Sequence, residues 1–326
     1  METAPLLMER RKALDIKIKN FGKNIWCYSP SILTYSIDQH RPADNFRFCP
    51  ISVTGRRCQL QCDHCRAQIL ESMFPAETPE RLETLIKDFV RRKTEGILIS
   101  GGSDLDGAVP LLEFIPALKK IKEQYNLFLV VHTGLITQDL ASGLTEVGVD
   151  AVMLDIIGDD ETIKKVYHLQ KTVKDFERSL ELLDRYNIPS VPHVVVGLNY
   201  GKISGELNAV DMISKHRPEA LVIVALMPLE NTPMQDTVPP KPSSIANVIT
   251  YSRIKLPKTP IILGCARPRG AHRISTDILA IKSGVNGIAF ISQEGADYAE
   301  KKGFKLKFSD HCCSLIFKDI KSQEKT

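Results

Sequence analysis

The sequence has no large excess of charge of either sign. Its 326 residues include 43 basic and 39 acidic side chains, a formal surplus of +4. A balance so even lacks the basic footprint that phosphate contacts require, so no nucleic-acid partner is expected. Arg10, Arg11, Lys17, Lys19 and Lys23, and the lysine-rich stretch after Phe317, read as solvated faces. Long apolar runs are also missing. None approaches the ~18 residues that cross a bilayer. Glu9 and Arg10 interrupt the start before an apolar leader can form. No membrane association and a cytoplasmic location are expected. No linker marks off a second large domain, and Pro239, Pro240 and Pro242 only stiffen one loop.

What is present is a repeat of strand and helix from about residue 46. Short β-branched runs cover Phe48 to Thr54, Gly96 to Ser100, Leu127 to His132 and Ala151 to Ile157. Four more cover Val191 to Val196, Leu221 to Leu226, Ile261 to Gly264 and Gly287 to Ile291. They are almost continuously apolar, as strands are when both faces of a parallel sheet are covered. Amphipathic helical patterns fall between them, over Pro79 to Arg92, Pro110 to Tyr125, Lys174 to Tyr186, Ile203 to His216, Ser244 to Ile254 and His272 to Ser283. This alternation predicts an α/β fold of the (β/α)8 TIM-barrel type, with an open doubly wound sheet as the other arrangement. The barrel is expected over residues 46–303. Residues 1–45 form an N-terminal extension, with a helical pattern near Ala13 to Phe21. Residues 304–326 form a tail that brings Cys312 and Cys313 over the barrel mouth. Barrel enzymes place their chemistry at the C-terminal ends of the strands.

Eight cysteines are present: Cys27, Cys49, Cys58, Cys62, Cys65, Cys265, Cys312 and Cys313. Disulfides are not expected in a cytosolic chain, and clustered cysteines there point to metal or redox chemistry. Cys58-x3-Cys62-x2-Cys65 follows the first strand. Three thiolates in so short a loop converge on one centre. A structural zinc usually takes four ligands as two spaced pairs, and no second pair follows at that spacing. Three thiolates instead suit three irons of a cubane, leaving the fourth open. Structural zinc and inert buried thiols remain the other readings.

The Cys58/Cys62/Cys65 loop after a first barrel strand resembles the signature of the radical SAM superfamily. The resemblance implies a 4Fe-4S cluster whose open iron binds S-adenosylmethionine (SAM). His64 stands where the family usually has another aromatic before the last cysteine. The second strand ends Ser100-Gly101-Gly102-Ser103. It resembles the family's Gly-Gly-Glu turn that receives the SAM amino group, with Ser103 in place of the acidic residue. Pro228-Leu229-Glu230-Asn231-Thr232-Pro233-Met234, preceded by Met227, is similar to the adenosine-contacting stretch of the biotin synthase branch. The resemblance thus implies cofactor binding by Gly101, Gly102, Ser103, Met227 and Pro228. An ordinary proline turn is the plain alternative.

Other strand ends carry His132, Asp155 and His193. Asp155, inside an apolar run, needs a partner and is placed on the ribose hydroxyls or the substrate. His193 joins it as a cofactor contact, and His132 is a substrate or auxiliary ligand. Structural hydrogen-bonding roles are the alternative for all three. Cys265 ends the seventh strand, and with Cys312 and Cys313 it makes a candidate auxiliary iron-sulfur site. Arg267 is read as a further ligand or substrate contact, because an arginine ligates the auxiliary cluster of biotin synthase.

The phrases Ile51-Ser52-Val53-Thr54-Gly55, Leu98 to Asp104 and Gly264 to Gly270 carry a likeness to biotin-synthase-related proteins across nearly all of residues 46–315. Within them the chain resembles one component of the two-protein lipoyl synthases. It lacks the N-terminal Cys-x4-Cys-x5-Cys motif of the single-chain enzyme. The resemblance implies sulfur insertion into an octanoyl chain on a carrier-domain lysine. SAM cleavage would generate a 5′-deoxyadenosyl radical that removes hydrogen from a methylene, and a sulfide of the auxiliary cluster would capture the carbon. No residue is expected to act as a general acid or base. Expected partners are a second radical SAM subunit, the octanoylated carrier and an electron donor such as a ferredoxin. The alternatives are a related radical enzyme acting on a free small molecule, a non-catalytic metal-binding scaffold and an open-sheet binding protein.

Overall fold

In the computed structural model, residues 4–30, 34–42 and 46–323 are described. The expected boundary at residue 45 lies outside them. Among the described residues, eleven strands form one sheet. In chain order they are β1 (Asn24–Tyr28), β2 (Phe48–Ser52), β3 (Phe74–Pro75), β4 (Gly96–Ser100), β5 (Phe128–His132), β6 (Ala151–Asp155), β7 (Ser190–Val196), β8 (Leu221–Ala225), β9 (Ile261–Leu263), β10 (Gly287–Ala289) and β11 (Lys305–Ser309). Eleven helices accompany them: α1 (Ala4–Phe21), α2 (Pro79–Arg91), α3 (Ile115–Gln124), α4 (Gln138–Val147), α5 (Asp160–Val166), α6 (Val173–Arg185), α7 (Glu206–Ser214), α8 (Pro242–Lys255), α9 (Ala271–Lys282), α10 (Gln293–Lys301) and α11 (Ile316–Gln323).

The eight expected strands stand side by side in chain order, and every ladder is parallel. The fold is therefore the expected α/β barrel type, in partial form. Its sheet runs β11-β1-β10-β9-β8-β7-β6-β5-β4-β2-β3, and no ladder joins its two ends among the described residues. β1 from the N-terminal extension pairs with β10, and β11 from the tail pairs with β1. They occupy the edge of β10 that would otherwise meet β2. At the other end β3 is two residues long and contains Pro75, which has no N–H to extend the ladder.

Local chemistry sets the helix ends. Thr78 caps α2, accepting a bond from the Arg81 N–H at 3.3 Å, and Pro79 follows at the first helical position. Leu82, Ile86 and Phe89 then face the sheet, all buried. Thr172 and Asp175 form a capping box on α6.

Successive residues of each strand enter two cores. Ile97, Ile99, Leu129, Val131, Val152 and Leu154 pack in the layer against the helices. Val130, Ala151, Met153, Val191, Val222 and Ile262 line the inside of the barrel. The tail fills that interior with Cys313, Leu315, Ile316 and Phe317. This corrects the expectation that the tail crosses the mouth. Lys318 pairs with Asp150 at 2.7 Å and Lys321 with Glu219 at 2.8 Å. Asp150 immediately precedes β6 and Glu219 lies just before β8, so α11 sits at the end opposite the mouth. The Tyr28 hydroxyl donates to Asp319 at 2.7 Å, and His311 lies 2.8 Å from Glu95, just before β4. The cause is burial. A partial barrel exposes apolar inner faces, and the Leu315-Ile316-Phe317 run is the apolar segment that covers them.

Candidate active site

The loop after β2 carries Cys58, Cys62 and Cys65 to the mouth. Its backbone is tightly curled, with Gln61, Arg66 and Ala67 in the left-handed region at φ of 46°, 45° and 63°. Such conformations persist in non-glycine residues only where the surroundings enforce them. The Cys65 and Arg66 N–H groups both donate to the Cys62 carbonyl, at 3.2 and 3.0 Å. Gly102, just past β4, lies against the loop. A Cβ there would stand 2.1 Å from the Arg57 carbonyl oxygen and 2.5 Å from the Cys58 Cα. Only glycine allows this approach. The Gly102 N–H donates to Thr54 Oγ1 at 2.7 Å, and the Ser103 carbonyl accepts from the Gln59 N–H at 2.9 Å. Gly101, Gly102 and Ser103 therefore frame the cysteine loop directly.

The Cys65 thiol is brought down to about 4 by a hydrogen bond from Cys62, with His64 adding to the effect against burial. His64 is raised: burial opposes its charge, and the Cys65 thiolate more than offsets that. Its ring lies 5.3 Å from that of Tyr167, and its buried Nδ1 has no hydrogen-bond partner. No three His, Cys, Asp or Glu side chains converge on a single-ion point among the described residues. Three thiols spread around one loop, beside an orphaned buried nitrogen, suit a multi-iron cluster rather than a tetrahedral ion.

Across the mouth, the last residues of β5 and β6 present His132 and Asp155, with His132 Nε2 3.8 Å from the carboxylate. The Tyr167 hydroxyl donates to Asp155 at 3.2 Å. Burial opposes the Asp155 charge, but a hydrogen bond from His132, with the electrostatic effect of the surrounding histidines, holds the group down at about 2. β7 pairs His193 with Asp155 in register, and the His132 and His193 rings lie 5.8 Å apart. The His193 Nδ1–H donates to the Val191 carbonyl at 3.1 Å. Burial, then His132, pushes His193 down to about 4.

A histidine depressed this way binds fewer protons folded than unfolded between about pH 6.5 and 4. Stability is then fully present above about 6.5 and falls as pH drops through that window. The His193→Gln variant is expected to flatten this part of the profile, as read by denaturant midpoints at several pH values. An unchanged slope would show that other groups govern it.

Met227 and Pro228 follow β8, both half-buried at the mouth. The Gln68 side chain donates to the Glu230 carbonyl at 2.7 Å, joining the cysteine loop to this segment from far away in the sheet order. Cys265 follows β9 and is half-buried. Its thiol is raised by burial and then by Cys312, and Cys313 feels Cys265 in turn. The tail thus brings the three cysteines into one neighbourhood, from inside the barrel and not across its mouth. His132 helps to favour the Cys312 thiolate, which is brought down to about 7 chiefly by Cys313.

Arg267 requires a correction. It is fully buried, with Nη2 2.9 Å and Nε 3.0 Å from Asp277, itself fully buried on α9. Nη1 donates to the Gly264 carbonyl at 2.7 Å and Nη2 to that of Phe290 at 3.2 Å. Every nitrogen of the guanidinium is engaged in tying β9, α9 and β10 together. Fully buried in this tie, the side chain is a structural link and not an exposed contact at the mouth. Asp277→Ala would leave this charge unpaired, at a cost of ~3–5 kcal/mol. A thermal melt should show a large fall in Tm, and a loss under ~1 kcal/mol would contradict the pairing.

The sequence reading missed Tyr167, which completes the Asp155 environment. It also missed Asp63, His168 and Tyr200, which meet beside the cysteine loop. Cys27 and Cys49 lie buried inside β1 and β2.

Residues 52–203 match the family model for the radical SAM superfamily, spanning the cysteine loop through the Asp155 and His193 strands. The matched stretch is similar to the radical SAM domain, a superfamily that uses a 4Fe-4S cluster and SAM. The curated relatives that match are biotin synthases. The biotin synthase of Vesicomyosocius okutanii subsp. Calyptogena okutanii is 26% identical over 184 residues, 55% of each chain. That of Synechococcus elongatus is 23% identical over 266 residues, 77% of this chain and 79% of the other. The chain spans about half the length of the first curated relatives it matches, 55% and 50%. Among solved structures, methylornithine synthase superposes with a TM-score of 0.64 at 14% identity, covering 98% of this chain and 93% of that one. HydG, an FeFe-hydrogenase maturase, gives 0.65 at 15% identity, covering 98% and 71%. These two likenesses concern the fold. No described helix is long and apolar enough to cross a membrane. Residues 52–203 are thus similar to the radical SAM domain, and the curated relatives that share the likeness are biotin synthases.

Proposed function

We infer that the enzyme inserts sulfur into an octanoyl chain carried on a lysine, as one of two radical SAM subunits that form the lipoyl group. The observation that carries this reading is the second set of thiols. Cys265, Cys312 and Cys313 gather inside the barrel beneath the mouth, beside His132. They are separate from the Cys58 loop and suit an auxiliary iron-sulfur cluster as sulfur donor. The resemblance to two-protein lipoyl synthases supports the octanoyl substrate and the second subunit. A reduced electron donor such as a ferredoxin completes the set of partners.

In this reading Cys58, Cys62 and Cys65 hold the cluster that, when bound, supplies the electron for SAM cleavage. Gly101, Gly102 and Ser103 bring backbone close to the methionyl end of SAM. Met227 and Pro228 border its adenosine, and Asp155 and His193 face the ribose side. Asp155 stays ionised and His193 neutral at pH 7, so the pair offers acceptors to hydroxyl donors. His132 lies between this site and the inner thiols. The residues orient the reactants and exclude water, and none has to move a proton.

The test is anaerobic incubation of the reconstituted chain with SAM, reductant and an octanoyl-lysyl peptide, read by mass spectrometry. Addition of one sulfur to the peptide is expected from this chain alone, and the complete lipoyl product only with a second subunit. The biotin synthase relatives favour a second reading, a free small-molecule substrate. SAM cleavage stimulated by such a molecule but not by the peptide would establish it. Full lipoyl formation by this chain alone would remove the need for a partner.

A further inference from the structure

Between two of the loop cysteines stands Asp63, 7% exposed. The Tyr200 hydroxyl donates to its Oδ2 at 2.6 Å, and the His168 Nε2–H donates to its Oδ1 at 3.0 Å. Its own N–H donates to the Val166 carbonyl at 2.9 Å. Val166 and His168 belong to the connection after β6, and Tyr200 to the loop after β7. Both ring-bearing residues have left-handed backbones, at φ of 58° for His168 and 49° for Tyr200. Backbone strain at both partners of one carboxylate marks an enforced arrangement. Lys165 lies 4.7 Å over the Tyr200 ring and fixes its plane from the outside. None of these groups belongs to the Cys58/Cys62/Cys65 set, and none faces the inner thiols.

We propose that Asp63, His168 and Tyr200 form a positioning clamp that sets the placement of Cys62 and Cys65 and ties the cluster loop to the connections after β6 and β7. Asp155 ends β6 and His193 lies in β7, so the clamp links the cluster to the elements expected to hold SAM. Binding in the mouth is then felt at the thiolates through hydrogen bonds instead of through an unattached loop. The Asp63 carboxylate also places negative charge next to the cluster, which disfavours its reduction. This proposal rests on the cluster reading of the cysteine loop.

Its test uses the full chain, reconstituted anaerobically, with the variants Asp63→Ala, Asp63→Asn and Tyr200→Phe. D63A removes both acceptors and is expected to release iron to a chelator ~10-fold or more faster than wild type. It should raise the KM for SAM more than it lowers kcat. D63N keeps an oxygen for Tyr200 and can pair with a neutral His168. It should retain iron while shifting the cluster midpoint potential upward, a change that a purely structural role would not produce. Y200F keeps the ring over which Lys165 lies and loses only the hydroxyl. It should release iron faster than wild type, and it carries the test if D63A fails to fold. Wild-type iron retention in Y200F and in folded D63A would overturn the clamp, as would an unmoved potential in D63N. A wild-type chain that takes up no iron would overturn the cluster reading and the clamp with it.

Discussion

Replacing Cys58, Cys62 and Cys65 together by alanine is expected to abolish 5′-deoxyadenosine formation from SAM. The three thiols are the thiolate ligands that the loop offers, and cubane clusters take cysteine thiolates. His64 offers a single imidazole and cannot stand in for three thiolates. The fold should survive. The loop stays attached through Asp63 to Tyr200 and His168, and through Gln68 to Glu230. Liquid chromatography of anaerobic reactions reads the product directly. Undiminished SAM cleavage in a folded triple variant would defeat the radical reading.

Replacing Cys265, Cys312 and Cys313 together by alanine is the complementary experiment. If they hold an auxiliary cluster, reconstituted wild type should carry about eight irons per chain, two cubanes of four. This variant should keep roughly half of that. It should still cleave SAM, since its first loop is intact, and release no thiolated peptide. Sulfur insertion at wild-type level without these cysteines would remove them as the source. Packing is a real concern here, because Cys313 belongs to the barrel interior with Leu315 and Ile316. Cys→Ser at Cys265 and Cys312, which are only half-buried, keeps volume and reads the same loss with less disturbance.

The eight strands β2 and β4 to β10 that build the barrel were legible because each is a nearly continuous apolar run, and that run is what a sheet covered on both faces demands. The cysteine loop was legible because spacing alone brings three thiols together. Other features were present in the sequence but overlooked. α4 has a capping Thr137, buried Leu140, Ala141, Leu144 and Val147, and a terminating Gly148 at φ 69°. β1 lacks the β-branched run of the others, and in β11 Lys305-Leu306-Lys307-Phe308 alternates like an exposed edge. Tertiary pairing, not local propensity, makes them strands.

Other parts could not have been read. Arg267 looked available because it follows Cys265 at a strand end, but its partner Asp277 lies well inside α9, and only packing brings the two together. The tail's path depends on the open interior needing Leu315, Ile316 and Phe317, which has no signature in the tail itself. His168 and Tyr200 act from loop positions whose directions are fixed by backbone conformation, not by spacing.

The central claim is that the first cysteine loop holds a SAM-binding iron-sulfur cluster. The most direct measurement is iron analysis with electron paramagnetic resonance of the reduced protein, with and without SAM. It is best made in the Cys265→Ala, Cys312→Ala, Cys313→Ala variant, so that only one cluster contributes. The account expects about four irons per chain and a cluster signal that changes on addition of SAM. Zinc in place of iron, or a spectrum indifferent to SAM, would contradict it.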